Sequence, residues 1–225
     1  MELHLRRRNA WGYPFWIVMI GMLLFGSLQL KAEQKPGMAI LPFFVEKVED
    51  PARGAVCPLC KGISRSGAIL PGSQDTLTRL LYAKIEAAGT FNLLPLERVQ
   101  GAFSHVDRNA FEQEPAASSV RLGKEVNAVF VFLGYLFRFE ERIGSSIGVE
   151  KPASVAFDLH LMRVRDGKVV WTGKFDETQR PLSEDIRKIG SFFRRGAVWL
   201  TAGELASAGI EETLKKLPGV KELQD

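Results

Sequence analysis

One uncharged apolar run limits what this chain can fold into more than any other feature of the sequence. Residues 128–137 read AVFVFLGYLF, with no charge in ten positions. Aromatic and β-branched residues at this density favour a strand over a helix, and unbroken apolarity is typical of a strand buried on both faces. From Tyr135 onward, apolar residues alternate with Arg138 and Glu140, which predicts that one sheet face opens to water there. The run is therefore predicted to be the centre of a sheet.

The segments before the run predict two strands and two helices. Residues 38–45 read as a first strand, in which Pro42 marks a bulge or an end because proline cannot donate to a ladder. A helix is predicted from Ser73 to Gly89, with apolar residues recurring on one face. Residues 91–96 predict a short strand near the sheet edge. A serine at position 118 or 119 is predicted to cap a second helix that leads into the central run.

The segments after the run predict two further strands. Residues 154–163 alternate cleanly, which predicts a strand with Asp158 and His160 on its outer face. The pair Asp-Gly at 166–167 is a strong turn signal, and residues 169–175 predict the next strand. With the central run they form a three-stranded antiparallel meander near the carboxy end. The predicted fold class is α+β: a mixed sheet of about five strands with helices packed on it, an αβ sandwich.

The domain organisation follows from these elements. Residues 33–180 are predicted to form the αβ sandwich, and residues 181–225 to form helices that pack on the same domain. Within this last part, TAGE at 201–204 is the pattern of a capping box. Three aromatic side chains there either seat the helices on the sheet or form a partner surface, namely Phe192, Phe193 and Trp199.

Residues 1–32 predict export from the cytoplasm. Three arginines at 6–8 precede a mostly apolar stretch at 11–30, and positive charge stays on the cytoplasmic side of such a stretch. Two forms are open: a signal peptide cut after Ala32, although Leu30 is bulky for a cleavage site, or an uncleaved membrane anchor. The predicted location is the periplasm of a bacterium, or the inner membrane with a periplasmic domain. No cysteine follows the apolar stretch to accept a lipid.

The charge of the remaining chain argues against nucleic-acid binding. The whole chain carries 30 basic and 26 acidic residues, of which four basic and one acidic residue lie within 1–32. Residues 33–225 therefore hold 26 basic and 25 acidic residues and are close to neutral. The excess of basic residues that raises the isoelectric point lies largely within residues 1–32, so it gives no reason to predict a nucleic-acid partner.

The Cys-Pro-Leu-Cys-Lys-Gly segment at 57–62 is the motif that most asks for a chemical explanation. In an oxidising compartment, a Cys57–Cys60 disulfide is the default expectation. The spacing also resembles a metal knuckle, but two thiolates are half of a tetrahedral zinc site, which His105, His160 or a second subunit would have to complete. A redox-active pair is a third alternative, although the residues after Cys60 make a poor helix. These alternatives stay open at the level of sequence.

The other polar residues do not form a recognisable catalytic set. His105 and His160 are each predicted to be surface residues, and no G-x-S-x-G elbow is present. The segment GSSIG at 144–148 is predicted to be a hairpin tip, because no Lys-Ser/Thr pair or helix follows it as in a phosphate loop. The sequence therefore predicts a protein that is not an enzyme and has no cofactor, apart from the zinc alternative.

Several stretches resemble one superfamily of bacterial envelope proteins. They are MAILPF at 38–43, the helix at 77–89 followed by FNLL, LGKEVNAVFVFLG at 122–134, and the hairpin LMRVRDGKVVWTG at 161–173. This pattern, over roughly residues 38–175, is similar to the curli secretion channel lipoprotein, the penicillin-binding-protein activator lipoproteins and the amino-terminal domain of the Tol-system propeller protein. The resemblance implies an αβ sandwich that acts by binding other proteins.

Two departures from that superfamily bear on function. The chain lacks the lipid-attachment cysteine of the lipoprotein members, and the loop at 141–153 is too short and charged to line a pore. We therefore expect a non-enzymatic assembly or regulatory factor that binds another envelope protein, with self-association as a further expectation. The alternatives are a metal-binding or thiol-redox module centred on Cys57 and Cys60, and a subunit of an envelope export complex.

Overall fold

A computed structural model describes residues 34–46, 54–179 and 199–225 of the chain, and the described residues from Lys35 onward belong to one compact unit. The strands are β1 (Gly37–Ile40), β2 (Phe44–Val45), β3 (Ala55–Val56), β4 (Ile63–Ser64), β5 (Asn92–Leu93), β6 (Phe130–Glu140), β7 (Ile143–Gly144), β8 (Val149–Lys151), β9 (Ser154–Arg163) and β10 (Val169–Thr178). The helices are α1 (Ser73–Ala88), α2 (Leu96–Ser104), α3 (Arg108–Gln113), α4 (Pro115–Glu125), α5 (Ala202–Leu214) and α6 (Val220–Gln224).

The main sheet is mixed, as the sequence predicts. Its order is β10-β9-β6-β1-β5, and β2 also pairs with β6. Strands β1, β2 and β5 run parallel to their neighbours, whereas β6, β9 and β10 form the predicted antiparallel meander. The first strand is split at residues 41–43, around Pro42, so β1 and β2 pair with successive parts of β6.

One face of the sheet is covered by two helices. Apolar side chains of α1, such as Leu77 and Leu81, and of α5, such as Leu205, share one core cluster with Phe132 and Phe157 of the central strands. Helix α1 ends at Gly89, which adopts the left-handed conformation that favours glycine (φ 63°). Helix α5 begins with the predicted capping box of Thr201 and Glu204.

The opposite face has two different covers. Helices α2, α3 and α4 pack over the half of the face near β1, with Leu122 and Phe111 against Val131 and Leu133 of β6. The other half is covered by the short hairpin of β3 and β4, which contributes to a separate cluster formed by Ala55, Cys57, Tyr135, Phe137 and Ala156. A hairpin with few apolar side chains thus covers a part of the sheet, whereas helices cover the rest.

The expected opening of the sheet to water near Arg138 is wrong. A register shift between Leu136 and Arg138 interrupts the alternation, and Arg138 is 5% exposed. Its guanidinium donates to Ser154 Oγ at 2.6 Å, to Asp176 Oδ1 at 2.7 Å and to the carbonyl of Arg65 at 2.8 Å. The chain that follows β4 lies over this position and closes it from solvent.

One local expectation differs in detail. Helix α4 begins at Pro115, a residue suited to the first turn, so Ser118 and Ser119 lie inside the helix and do not cap it. Both serines are buried. The short helix α6 follows Pro218 and Gly219. Residues 1–32, with the predicted leader, lie outside the described residues, as do Phe192 and Phe193. Within the described ranges, no helix combines the length and apolarity needed to cross a membrane.

Candidate metal centre

Strand β9 brings two polar side chains to the sheet face beneath the hairpin. Asp158 and His160 are two residues apart, so they point to the same face of the strand. Both are 0% exposed, and the prediction that they face solvent is therefore wrong. The sequence pattern correctly separates these residues from the helix-covered face, but the long connection folds back over them and makes this second face an interior.

The hairpin presents both cysteines to that face. The Cys57 amide donates to the Gly62 carbonyl at 2.8 Å, and the Lys61 amide donates to the Cys57 carbonyl at 3.0 Å, which closes a tight turn between β3 and β4. Lys61 adopts a left-handed backbone conformation (φ 58°) that lets the chain reverse after Cys60. Cys57 is buried and Cys60 is exposed, and both are free thiols.

The two pairs converge into one cluster of four potential ligands. The Cys57 sulfur lies 3.1 Å from His160 Nε2, and the Cys60 sulfur lies 3.5 Å from Asp158 Oδ2. One ligand atom from each of the four residues lies within 4.8 Å of every other. The structure therefore places His160, one of the three completions named from sequence, beside the cysteines and adds Asp158, which sequence reasoning missed.

Residues of the neighbouring strand surround the cluster in register. Across the β9–β10 pair, His160 lies opposite Thr172 and Asp158 lies opposite Lys174. His160 Nδ1 lies 3.1 Å from Thr172 Oγ1, and the Lys174 ammonium lies 4.0 Å from Asp158 Oδ1 while donating to the Ile63 carbonyl at 3.1 Å. Lys174 therefore links the strand to the hairpin as well as to the buried carboxylate.

Burial shifts the titration of the cluster toward neutral forms. It raises the pKa of the Cys57 thiol to about 12 and raises the pKa of Asp158, with Lys174 opposing the shift at Asp158. Burial, and then the positive charge of Lys174, lowers the pKa of His160 to about 4. In the absence of a cation, low polarity therefore disfavours the charged forms of these groups.

The arrangement has the donor set of a metal site rather than that of a nucleophilic centre. Burial raises the pKa of the Cys57 thiol, and Cys57 precedes a turn and not a helix, so exposure and a helix amino terminus, two features that favour a reactive thiolate, are both missing at Cys57. His105 lies apart from the cluster, exposed at the end of α2, where its Nδ1 is 2.9 Å from the Gly101 carbonyl. Trp199 is half-buried, and its amide donates to the Ser146 carbonyl at 2.9 Å.

The sequence held one signal for the missed ligand. Asp158 and His160 interrupt the apolar middle of a ten-residue strand at neighbouring positions of one face, and a carboxylate and an imidazole are both ligands that zinc takes. Their meeting with the cysteines depends on where a connection of more than twenty residues folds, which no local pattern specifies.

Comparison with known proteins gives neighbours in fold only. No protein-family model matches the chain, and no curated protein matches it. Solved structures that are similar to it include the PelC dodecamer from Paraburkholderia phytofirmans, at 13% identity and a TM-score of 0.43, covering 85% of this chain and 88% of that one. Lipoprotein GNA1162 from Neisseria meningitidis is 12% identical with a TM-score of 0.45, covering 72% of this chain and 94% of that one.

A third neighbour is the LpoB C-terminal domain from Escherichia coli, at 13% identity and a TM-score of 0.39, covering 72% of this chain and 94% of that one. At such identities and scores, the similarity carries no conclusion about what this chain does.

Proposed function

We propose that the chain is a non-enzymatic protein of the bacterial cell envelope that acts as an assembly or regulatory partner of another envelope protein. The observation that carries this proposal is the burial of most of the cluster formed by Cys57, Cys60, Asp158 and His160. Cys57, Asp158 and His160 are buried, and of the four residues in the cluster only Cys60 is exposed. A largely buried cluster of this kind agrees better with a protein that binds a partner at its surface than with an enzyme.

The exposed apolar side chains offer places where such a partner would bind. Ile63 on the hairpin is 67% exposed, and Ile147 at the tip between β7 and β8 is 90% exposed. Large aliphatic side chains at loop tips lose unfavourable contact with water when a partner covers them. They are also remote from the core, so their replacement tests binding without unfolding the domain.

The experiment is a capture of partners by the tagged full chain from envelope extracts, after crosslinking in cells. We expect one envelope protein to be recovered with the natural sequence and lost with Ile63→Glu or Ile147→Glu. Val129→Glu, which replaces a 41% exposed residue at the start of the central run, is the matched control. Recovery of the same partner with all variants, or finding the protein in the cytosol, would contradict the proposal.

A second function has its own observation. Cys57, Cys60, Asp158 and His160 bring four potential ligand atoms within 4.8 Å of one another, which supports a metal-binding module. Replacing both cysteines with serine separates the two functions. If partner capture survives that change, the surface carries the function, and if capture is lost while the surface is intact, the cysteine cluster carries it.

A further inference from the structure

We propose that Cys57, Cys60, Asp158 and His160 bind one Zn²⁺ ion, and that this ion fastens the β3–β4 hairpin to the sheet. The inference rests on the second proposed function and deepens it, because it names the metal, its four ligands and its role; the first proposed function requires no metal. Two thiolates, one imidazole and one carboxylate are ligands that zinc takes in proteins, and four of them complete a tetrahedral site. Thiolate and imidazole donors argue against Mg²⁺ and Ca²⁺, which prefer oxygen.

The spacing of the donors fits a tetrahedron after small side-chain movements. Metal–ligand distances of about 2.0–2.3 Å place the ligand atoms about 3.3–3.8 Å apart. The Cys57–His160 pair, at 3.1 Å, and the Cys60–Asp158 pair, at 3.5 Å, lie near that range, and the widest separation in the cluster is within 4.8 Å. Rotation about side-chain bonds is enough to bring all four atoms to one ion.

Asp158 supplies an independent reason to expect a cation. Its carboxylate is fully buried, and Oδ1 has no hydrogen-bond partner among the described residues. Burying such a group without a partner is unfavourable unless it is paired or coordinates a metal. Lys174 approaches it only to 4.0 Å and is itself 40% exposed, so this ammonium alone does not satisfy the carboxylate.

The charges also balance around a divalent ion. Two thiolates and one carboxylate exceed the charge of Zn²⁺ by one, and the Lys174 ammonium beside Asp158 offsets that excess. Thr172 Oγ1 lies 3.1 Å from His160 Nδ1, where the hydroxyl would accept the ring proton of the tautomer that leaves Nε2 as the ligand atom. Such outer contacts set the tautomer and orientation of a metal-binding histidine.

The ion would have a structural role. All four coordination positions come from the protein, which is typical of structural rather than catalytic zinc. The hairpin that it would hold covers Tyr135, Phe137 and Ala156 with few apolar side chains of its own, chiefly Ala55 and Cys57. Metal ligation adds the fastening that a short, weakly apolar hairpin cannot supply by packing.

The test is the metal content of the full chain, purified under reducing conditions, saturated with zinc and dialysed. We expect about one zinc per chain by mass spectrometry of the metal, and loss of most of it in Cys60→Ser and Asp158→Asn. Cys60 is exposed, so its replacement does not disturb the core. His105→Gln, at the exposed histidine outside the cluster, is the matched control and should keep the metal.

Cobalt gives a second readout that does not depend on stability. Co²⁺ in a tetrahedral site with thiolate ligands should produce strong visible and charge-transfer absorption, which Cys60→Ser should weaken and His105→Gln should leave unchanged. A reduced natural chain that binds no zinc, zinc content that is unaffected by Cys60→Ser and Asp158→Asn, or an exported protein that holds a Cys57–Cys60 disulfide without zinc would overturn the proposal. Ile147 lies outside the hairpin, so the loss of partner capture in Ile147→Glu tests the surface proposal separately from the zinc.

Discussion

At the scale of single residues, cross-strand register explains the polar contacts around Asp158 and His160. A side chain in a sheet meets the residue directly opposite on the next strand, so Asp158 and His160 of β9 meet Lys174 and Thr172 of β10. The charges and hydroxyls of the exposed edge strand thereby support groups that are themselves fully buried. This dependence makes the outer residues testable independently of the four ligands.

Replacing Thr172 should weaken zinc binding without removing a ligand. Thr172→Val keeps the shape of the side chain but removes the oxygen that lies 3.1 Å from His160 Nδ1, so we expect affinity to fall by about 10- to 100-fold. Competition with a zinc chelator measures the change. Thr172→Ser keeps the hydroxyl and should bind like the natural chain. Equal affinities for the valine and serine variants would contradict the assignment of this contact.

Replacing Arg138 should destabilise the domain far more than an exposed ion pair would. Arg138→Ala removes three hydrogen bonds, including the one to Asp176, from a side chain that is 6% exposed, and we expect a loss of about 3 kcal/mol in the free energy of unfolding. Lys84→Ala breaks an exposed pair with Glu211 and should cost at most about 1 kcal/mol. Urea unfolding monitored by circular dichroism measures both, and similar losses would show that the Arg138 network adds little.

At the scale of elements, α5 packs on the sheet through close backbone approaches. A Cβ added at Gly173 of β10 would overlap Thr213 Cγ2, and one added at Gly209 of α5 would lie 2.6 Å from the Phe175 ring. These two glycines therefore bring the helix and the strand together. The capping box at the first turn of α5 fixes where the helix begins.

The close approach at Gly173 predicts opposite effects of alanine at two glycines. Gly173→Ala should lower the free energy of unfolding by about 1–3 kcal/mol, because the added methyl overpacks the contact with Thr213 and Trp171. Gly203 lies in α5, the helix that contains Thr213, and has open space around it. Gly203→Ala should therefore raise the free energy of unfolding by up to about 1 kcal/mol. Denaturant midpoints test the contrast, and a neutral Gly173→Ala would show that helix and strand separate easily.

The capping box predicts a pH dependence of stability. The Thr201 amide, and then its hydroxyl, lowers the pKa of Glu204 below its ordinary value of 4.5. Because the folded pKa is depressed, the contribution is present above the ordinary value and is lost as the pH falls through the lowered one. The natural chain should therefore be more stable than Glu204→Gln at neutral pH, and the difference should shrink in acid. A difference that is constant with pH, measured by urea unfolding, would exclude this contribution.

At the scale of the whole molecule, the sheet is covered unequally. Helices α1 and α5 pack on one face through a large apolar cluster, whereas a part of the other face depends on the β3–β4 hairpin. Regions with few apolar contacts open at lower free energy than the core. The hairpin is therefore the part of the described chain whose order should depend most on the proposed metal.

Removing the metal should loosen the hairpin and leave the sheet folded. With a chelator present, amide hydrogen exchange should rise by at least about tenfold in residues 55–64, while α1 and α5 should exchange as before. The same increase should occur in Cys60→Ser without the chelator, and Ile63→Glu, which changes the hairpin surface but no ligand, serves as the control. Unchanged exchange at 55–64, or a loss of protection in α1, would contradict local fastening by a metal.

Most of the secondary structure could be predicted from local patterns, and the failures share one cause. The central strand, the alternating strand β9, helix α1 and the capping box of α5 were predicted correctly because their periodicity and end signals are local. The outward placement of Asp158 and His160 and the exposure of Arg138 were wrong because polar residues in a strand predict a wet face. That inference fails where a distant segment covers the face.

The sequence by itself determined the mixed sheet, the order of its elements and the presence of a cysteine pair in a long connection, because hydrophobic period, turn residues and caps act within a few positions. Only the tertiary structure decided that this connection folds over β9 and brings Cys57 and Cys60 to Asp158 and His160 across about one hundred residues of chain. Which face such a connection covers depends on the total burial of the folded chain, and no local pattern contains that quantity.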